Sequence, residues 1–139
     1  MILLDTSGLL SALFMDQQHH AACGRILLDA EPPRILSPFV LAEADYLVHK
    51  FGGAKAEELL LEEVARGVFE LAMFTASDVE EAREIVMKYR DLALGLADAS
   101  LVVLARHYDC RDILTLDLRH FRALRVSGRR GFRILPADN

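Results

Sequence analysis

Ile2-Leu3-Leu4-Asp5-Thr6-Ser7 and Ile113-Leu114-Thr115-Leu116-Asp117 share one pattern, a short apolar run that ends on an aspartate. Runs of this kind, apolar on both faces, suit strands buried within a parallel sheet. Asp5-Thr6-Ser7 then offers side-chain oxygens where a helix N-cap needs them. Working outward, the spacing predicts further strands over 34–36, 68–72 and 132–135. It predicts helices over about 8–14, 19–30, 39–51, 54–66, 77–89, 96–108 and 118–124. Ser37-Pro38 opens the third helix, Gly52-Gly53 closes it, and Ser77-Asp78-Val79-Glu80 reads as a capping box for a later one. Strands separated by helices require crossover connections. The expected architecture is therefore α/β, a mainly parallel central sheet flanked by helices on both faces. Functional groups in such sheets lie beyond the carboxyl ends of the strands. Asp5 and Asp117 should thus share one rim.

The chain of 139 residues has room for one domain over 1–139, with a core from about 2 to 135. Its 53% hydrophobic and 27% charged residues fit a folded globule and exclude a disordered chain. Cys23 and Cys110 stand far apart, as expected of reduced thiols in a cytoplasmic protein. The most apolar stretch, 92–105, is interrupted by Asp98 and too short to cross a bilayer, so no membrane association is expected. The net charge of −5 is unevenly spread. Eight arginines and three aspartates between Arg106 and Arg133 make that segment +5, leaving −10 on the rest. A basic segment of this kind can hold a phosphate backbone locally, or form a solvated surface.

Two other acids stand out by their position. Glu43 borders the apolar stripe of Val40, Ala44, Leu47, Val48 and Phe51, and Asp98 borders that of Ala97, Leu101, Leu104, Ala105 and Tyr108. Carboxylates gathered from such margins repel one another unless some protonate or a cation joins them. Mg²⁺ and Mn²⁺ favour oxygen ligands and bridge to phosphates. Asp5, Glu43, Asp98 and Asp117 are the candidate cradle. The remaining acids, among them Glu57, Glu58, Asp78, Glu80, Glu81 and Glu84, fall on polar helix faces and read as solvated surface. His19, His20 and His107 have no partner at metal spacing. His120 follows Asp117 by one helical turn, near enough to approach the site, but reads as lying outside it. Phe14, Phe39 and Phe51 read as core. There is no glycine-rich phosphate loop and no nucleophile elbow. A phosphorelay receiver would need a lysine after its last strand, and none is placed there. The acids alone imply metal and phosphate, leaving a DNA nuclease, a phosphatase or a catalytically silent RNA-binding module as alternatives to a ribonuclease.

Asp5-Thr6-Ser7 after the first strand, Ala42-Glu43, Ala97-Asp98-Ala99 and Leu114-Thr115-Leu116-Asp117-Leu118-Arg119-His120-Phe121 together resemble the PIN domain, and more narrowly the VapC toxins of type II toxin–antitoxin pairs. The resemblance spans residues 2 to about 135. It implies a five-stranded parallel sheet and Mg²⁺-dependent endoribonuclease activity, with Mn²⁺ able to substitute. Asp5, Glu43, Asp98 and Asp117 carry over onto the family's acidic positions, Asp5 and Asp98 as direct ligands, Glu43 and Asp117 direct or through water. Thr6, Ser7 and Thr115 would be supporting hydroxyls, while Arg119 and Arg122 would hold flanking phosphates. Many relatives have an acid where this chain has Thr115, which favours a single well-occupied metal site. Activated water attacking phosphorus would leave 5′-phosphate and 3′-hydroxyl ends. The RNA is expected to be structured, a tRNA or a 23S ribosomal RNA loop. A cognate VapB-like antitoxin, seating a helix and a basic side chain over the carboxylates, and a homodimer complete the picture.

Overall fold

Strand β1 (Ile2–Leu4) is buried throughout, as an uninterrupted apolar run requires. The chain continues through α1 (Thr6–Leu13), α2 (His20–Asp29), β2 (Arg34–Leu36), α3 (Pro38–Ala65), β3 (Glu70–Leu71) and α4 (Ala76–Lys88). It then forms α5 (Leu96–Tyr108), β4 (Asp112–Leu114), α6 (Leu118–Ala123), β5 (Arg125–Ser127), β6 (Arg130–Gly131) and β7 (Arg133–Leu135). The structure is a computed structural model and describes residues 1–139.

Five strands form one sheet in the order β3-β2-β1-β4-β7. Every pairing in it is parallel, so the expected five-stranded α/β sheet is present. The register aligns Leu4 with Leu36 on one side and Leu114 on the other. Past the end of β1 the Asp5 amide donates to the Leu114 carbonyl at 3.1 Å, which carries the ladder one residue further. Asp5 and Thr115 are thereby set side by side. Helix α5 is buried from Ala99 to Ala105, seven successive residues, so it is enclosed rather than amphipathic. Its near all-round apolarity is explained by that position.

Helix α3 is bent at Gly53, whose φ of 80° and ψ of −177° a residue with a side chain rarely adopts. The two helices expected on either side of Gly52-Gly53 are the two limbs of this bend. Glu57 from the second limb meets His49 from the first at 3.1 Å, so it is less isolated than a solvated face implies.

Four local expectations are corrected. The cap of α4 falls two residues early, at Thr75 instead of Ser77; the Thr75 hydroxyl accepts from the Asp78 amide at 3.3 Å. Asp78 accepts in return from the Thr75 amide at 2.8 Å, an aspartate in the role given to Glu80. Strand β3 has two residues instead of five, as befits the sheet edge. The antiparallel pair β5–β6 was not foreseen, because its arginine-rich residues carry no alternating apolar signal. Phe51 is 69% exposed and lies outside the core, since the bend after it ends the buried stripe of the first limb of α3. Phe14 and Phe39 are half-buried, and Phe39 packs edge-on against Phe74 at 5.0 Å. No helix is long and apolar enough to cross a membrane.

Candidate active site

The end of β1 and the segment after β4 build the floor of the site. Asp5 occupies the N-cap position of α1 but makes no capping hydrogen bond with its side chain. Its carboxylate turns instead toward the neighbouring segment. There Asp5 Oδ2 accepts from the Thr115 hydroxyl at 2.6 Å and from the Ser7 hydroxyl at 3.0 Å. Backbone amides fix the polarity of this network. The Leu116 amide donates to Ser7 Oγ at 2.9 Å and the Asp117 amide to Thr115 Oγ1 at 3.0 Å. Each hydroxyl therefore receives a proton from the backbone and presents its own to Asp5. Burial pushes the Asp5 carboxyl above its ordinary range, while the Thr115 and Ser7 hydroxyls oppose that rise. Thr6 is buried too, but its hydroxyl oxygen makes no hydrogen bond. Of the two adjacent hydroxyls, Ser7 is the one that reaches the acid.

Asp98 projects from the first turn of α5. Its pKa is pushed up to about 6, first by burial and then by the charge of Asp5, with lesser contributions from Asp117 and Glu43. His120 pulls in the opposite direction. Asp117 caps α6, its Oδ1 accepting from the His120 amide at 3.0 Å. Glu43, from the first limb of α3, is exposed at the mouth. Asp5, Glu43, Asp98 and Asp117 line one pocket of about 510 Å³, together with Ser7 and His120. The four acids picked from the sequence are thus brought together.

His120 is the group that the sequence reading left outside. Its Nδ1 stands 3.2 Å from Asp98 Oδ2 and 2.9 Å from Asp117 Oδ2. The available signal was its three-residue spacing from Asp117, which places both on one helix face. Arg119 and Arg122 do not line the pocket. Arg119 is exposed and free of partners, whereas both terminal nitrogens of Arg122 bind Asp138. His107, expected to stand alone, lies 3.4 Å from Asp78 and 3.7 Å from Glu81 on α4.

Carboxylates held this close, two of them with raised pKa values, favour either shared protons or a cation. The donor set fits a divalent ion: several carboxylate oxygens, with a buried ring nitrogen of His120 that makes no hydrogen bond.

The PIN domain family matches residues 2–126, and the chain belongs to that family. Within the family it sits in the VapC branch, being 44% identical over 135 residues to Ribonuclease VapC26 of Mycobacterium tuberculosis. That alignment covers 97% of this chain and all of the relative. The fold is shared with the crystal structure of VapC20 of Mycobacterium tuberculosis, a toxin that cleaves the sarcin–ricin loop. The TM-score is 0.81 at 20% identity, covering 88% of this chain and 95% of that one. It is shared as well with a crystal structure of VapBC2 from Rickettsia felis bound to a promoter DNA fragment. There the TM-score is 0.68 at 18% identity over 96% of this chain and 98% of that one. The family and the fold anticipated from the four motifs are those found.

Proposed function

We propose that this protein is the toxin of a VapBC-type toxin–antitoxin pair, a metal-dependent endoribonuclease acting on a structured RNA. The observation that carries this reading is the meeting of Asp5, Glu43, Asp98 and Asp117 in one pocket at the carboxyl rim of a parallel sheet. The 44% identity to a ribonuclease of nearly the same length selects RNA over the other phosphodiesters. Asp5 and Asp98 would be the direct ligands of Mg²⁺ or Mn²⁺, because both are largely desolvated. Glu43 and Asp117 bind the ion directly or orient its waters. The bound ion would acidify a water and offset charge on the phosphoryl oxygens. Thr115 and Ser7 oppose the rise that burial imposes on Asp5 and aim its carboxyl by donating to one of its oxygens. Arg119, exposed on α6 two residues beyond Asp117, holds a flanking phosphate.

A loop of folded RNA is the preferred substrate, since a pocket this small gains specificity from shape; the sarcin–ricin activity of VapC20 agrees with that. An antitoxin partner is supported by the VapBC2 fold relative, and a homodimer and a cytoplasmic setting follow from the same reading. The test is sequencing of RNA 5′-phosphate ends after induction of wild type and Asp5→Ala. New ends confined to the wild type are expected. Identical end profiles from the two proteins would sink the nuclease reading.

A further inference from the structure

We propose that His120 binds the cation directly through Nδ1, and that it biases the site from Mg²⁺ toward a first-row transition ion such as Mn²⁺. This rests on the metal-dependent reading above and adds a nitrogen ligand to its carboxylates. Nδ1 is buried and satisfies no hydrogen bond, although two carboxylate oxygens lie 2.9 and 3.2 Å away. Both oxygens are off the axis along which a ring N–H would point, which an ion pair made for its own sake would not favour. A buried nitrogen left so is costly unless something else occupies the space between.

The spacing suits a shared ion. Donors about 2.1 Å from one cation stand about 3.0 Å apart at cis positions of an octahedron, and about 3.4 Å apart in a tetrahedron. The observed 2.9 and 3.2 Å bracket the first of these closely, and all three donor atoms lie within 4.8 Å of one another. The arrangement is also fixed in advance. Asp117 Oδ1 holds the His120 amide, leaving Asp117 Oδ2 to face the ring. The next residue, Phe121, is buried and packs edge-on against Phe132 at 5.4 Å. His120 thus has little freedom to turn away. An imidazole nitrogen is a softer donor than carboxylate oxygen and discriminates against Mg²⁺, which prefers an all-oxygen shell.

The test uses the full chain loaded with Mn²⁺ and read by pulsed electron paramagnetic resonance, in wild type, His120→Ala, His120→Gln and Asp98→Asn. None of the other four histidines lines the pocket, so a directly bound ¹⁴N has one source. The wild type should show that nitrogen coupling, and both His120 variants should lose it. Mn²⁺ affinity in His120→Ala should fall about tenfold while Mg²⁺ affinity changes less than about threefold. His120→Gln keeps a polar side chain in place and guards against a variant that fails to fold. Mn²⁺ bound in an Asp98-dependent manner without nitrogen coupling overturns the proposal alone, as does coupling that survives His120→Ala. A wild type that binds no Mn²⁺, or binds it equally in Asp98→Asn, overturns the metal reading with it.

Discussion

Asp98→Asn should stabilise the metal-free protein, and the gain should depend on pH. In the folded state the Asp98 carboxyl is raised from 3.8 to about 6, while the unfolded chain restores its ordinary value. Below about pH 4 the group is protonated in both states and costs nothing. As pH rises toward 6, the unfolded chain releases the proton and the folded one retains it, so stability declines. At about 1.4 kcal/mol for each pH unit, the displacement corresponds to about 3 kcal/mol. The side chain is only 20% exposed, so solvent screening removes little of this. Its charge is shared with Asp5, Asp117 and Glu43, and about 2–3 kcal/mol is the expected gain at pH 7.5. Asparagine keeps the shape and discards the charge. Urea unfolding of both proteins in EDTA between pH 4 and 8 measures the difference. The two curves should converge near pH 4 and separate above it, and Mn²⁺ should then close the gap by stabilising the wild type alone. Curves that stay parallel, or an asparagine variant less stable at pH 7.5, would refute burial of the Asp98 charge, reinforced by its carboxylate neighbours, as the origin of the raised pKa.

Thr115→Val keeps the volume but removes the 2.6 Å donor to Asp5 and orphans the Asp117 amide. It should cost about 1.5–3 kcal/mol at pH 7.5, read by urea unfolding beside the wild type. A Cβ on Gly8 would collide with the Leu114 carbonyl oxygen, the same atom that accepts from the Asp5 amide. Gly8→Ala should therefore destabilise by about 3 kcal/mol or more and displace Asp5, seen as a lowered melting temperature and lost RNA cleavage. Only Arg119, Arg129 and Arg130 of the basic segment are free of hydrogen bonds and ion pairs. RNA binding should accordingly weaken with salt at a logarithmic slope of about −2, and filter binding that gives a slope near −6 would mean the structural ties open on binding.

The sheet was legible because each central strand is a short, wholly apolar run, and such runs have no other place to go. Asp5 and Asp117 followed from topology, since both end strands that a parallel sheet points one way. Glu43 and Asp98 needed the helical periodicity, which marks the edge of a buried face but not what lies across from it. His120 escaped for that reason: its spacing from Asp117 was visible, while its approach to Asp98 depends on how α6 docks beside α5. The hairpin β5–β6 and the true start of α4 were hidden by polar sequence. In both, side-chain hydrogen bonds and backbone pairing decide the structure, and apolar patterning carries no trace of them. The arginine-rich segment misled most. Arg106 binds Val126 and Glu81, Arg111 binds Gly131, Arg122 binds Asp138, and Arg133 binds Asp112, so most of its charge ties the chain to itself.

The pocket is rigid on three sides for a common reason. At its floor, amides of Leu116 and Asp117 donate to two hydroxyls, and these donate to Asp5. A second chain of the same kind joins the helices that bear Glu43 and Asp98. The Ser100 hydroxyl gives its proton to the Ala97 carbonyl at 2.6 Å, so in its 2.7 Å contact with Ser37 it can only accept. Ser37 in turn accepts from the Phe39 amide at 3.2 Å as the cap of α3. Both serines are fully buried, and every proton in the chain has one destination. The starts of α3 and α5 are thus locked together next to the site, two residues from Asp98. Against that frame Glu43 is the exception, exposed and without any hydrogen bond or ion pair. Asp5 and Asp117, each held by hydrogen bonds, beside a free glutamate suit a site in which a fixed floor sets the position of the ion and Glu43 adjusts to its waters.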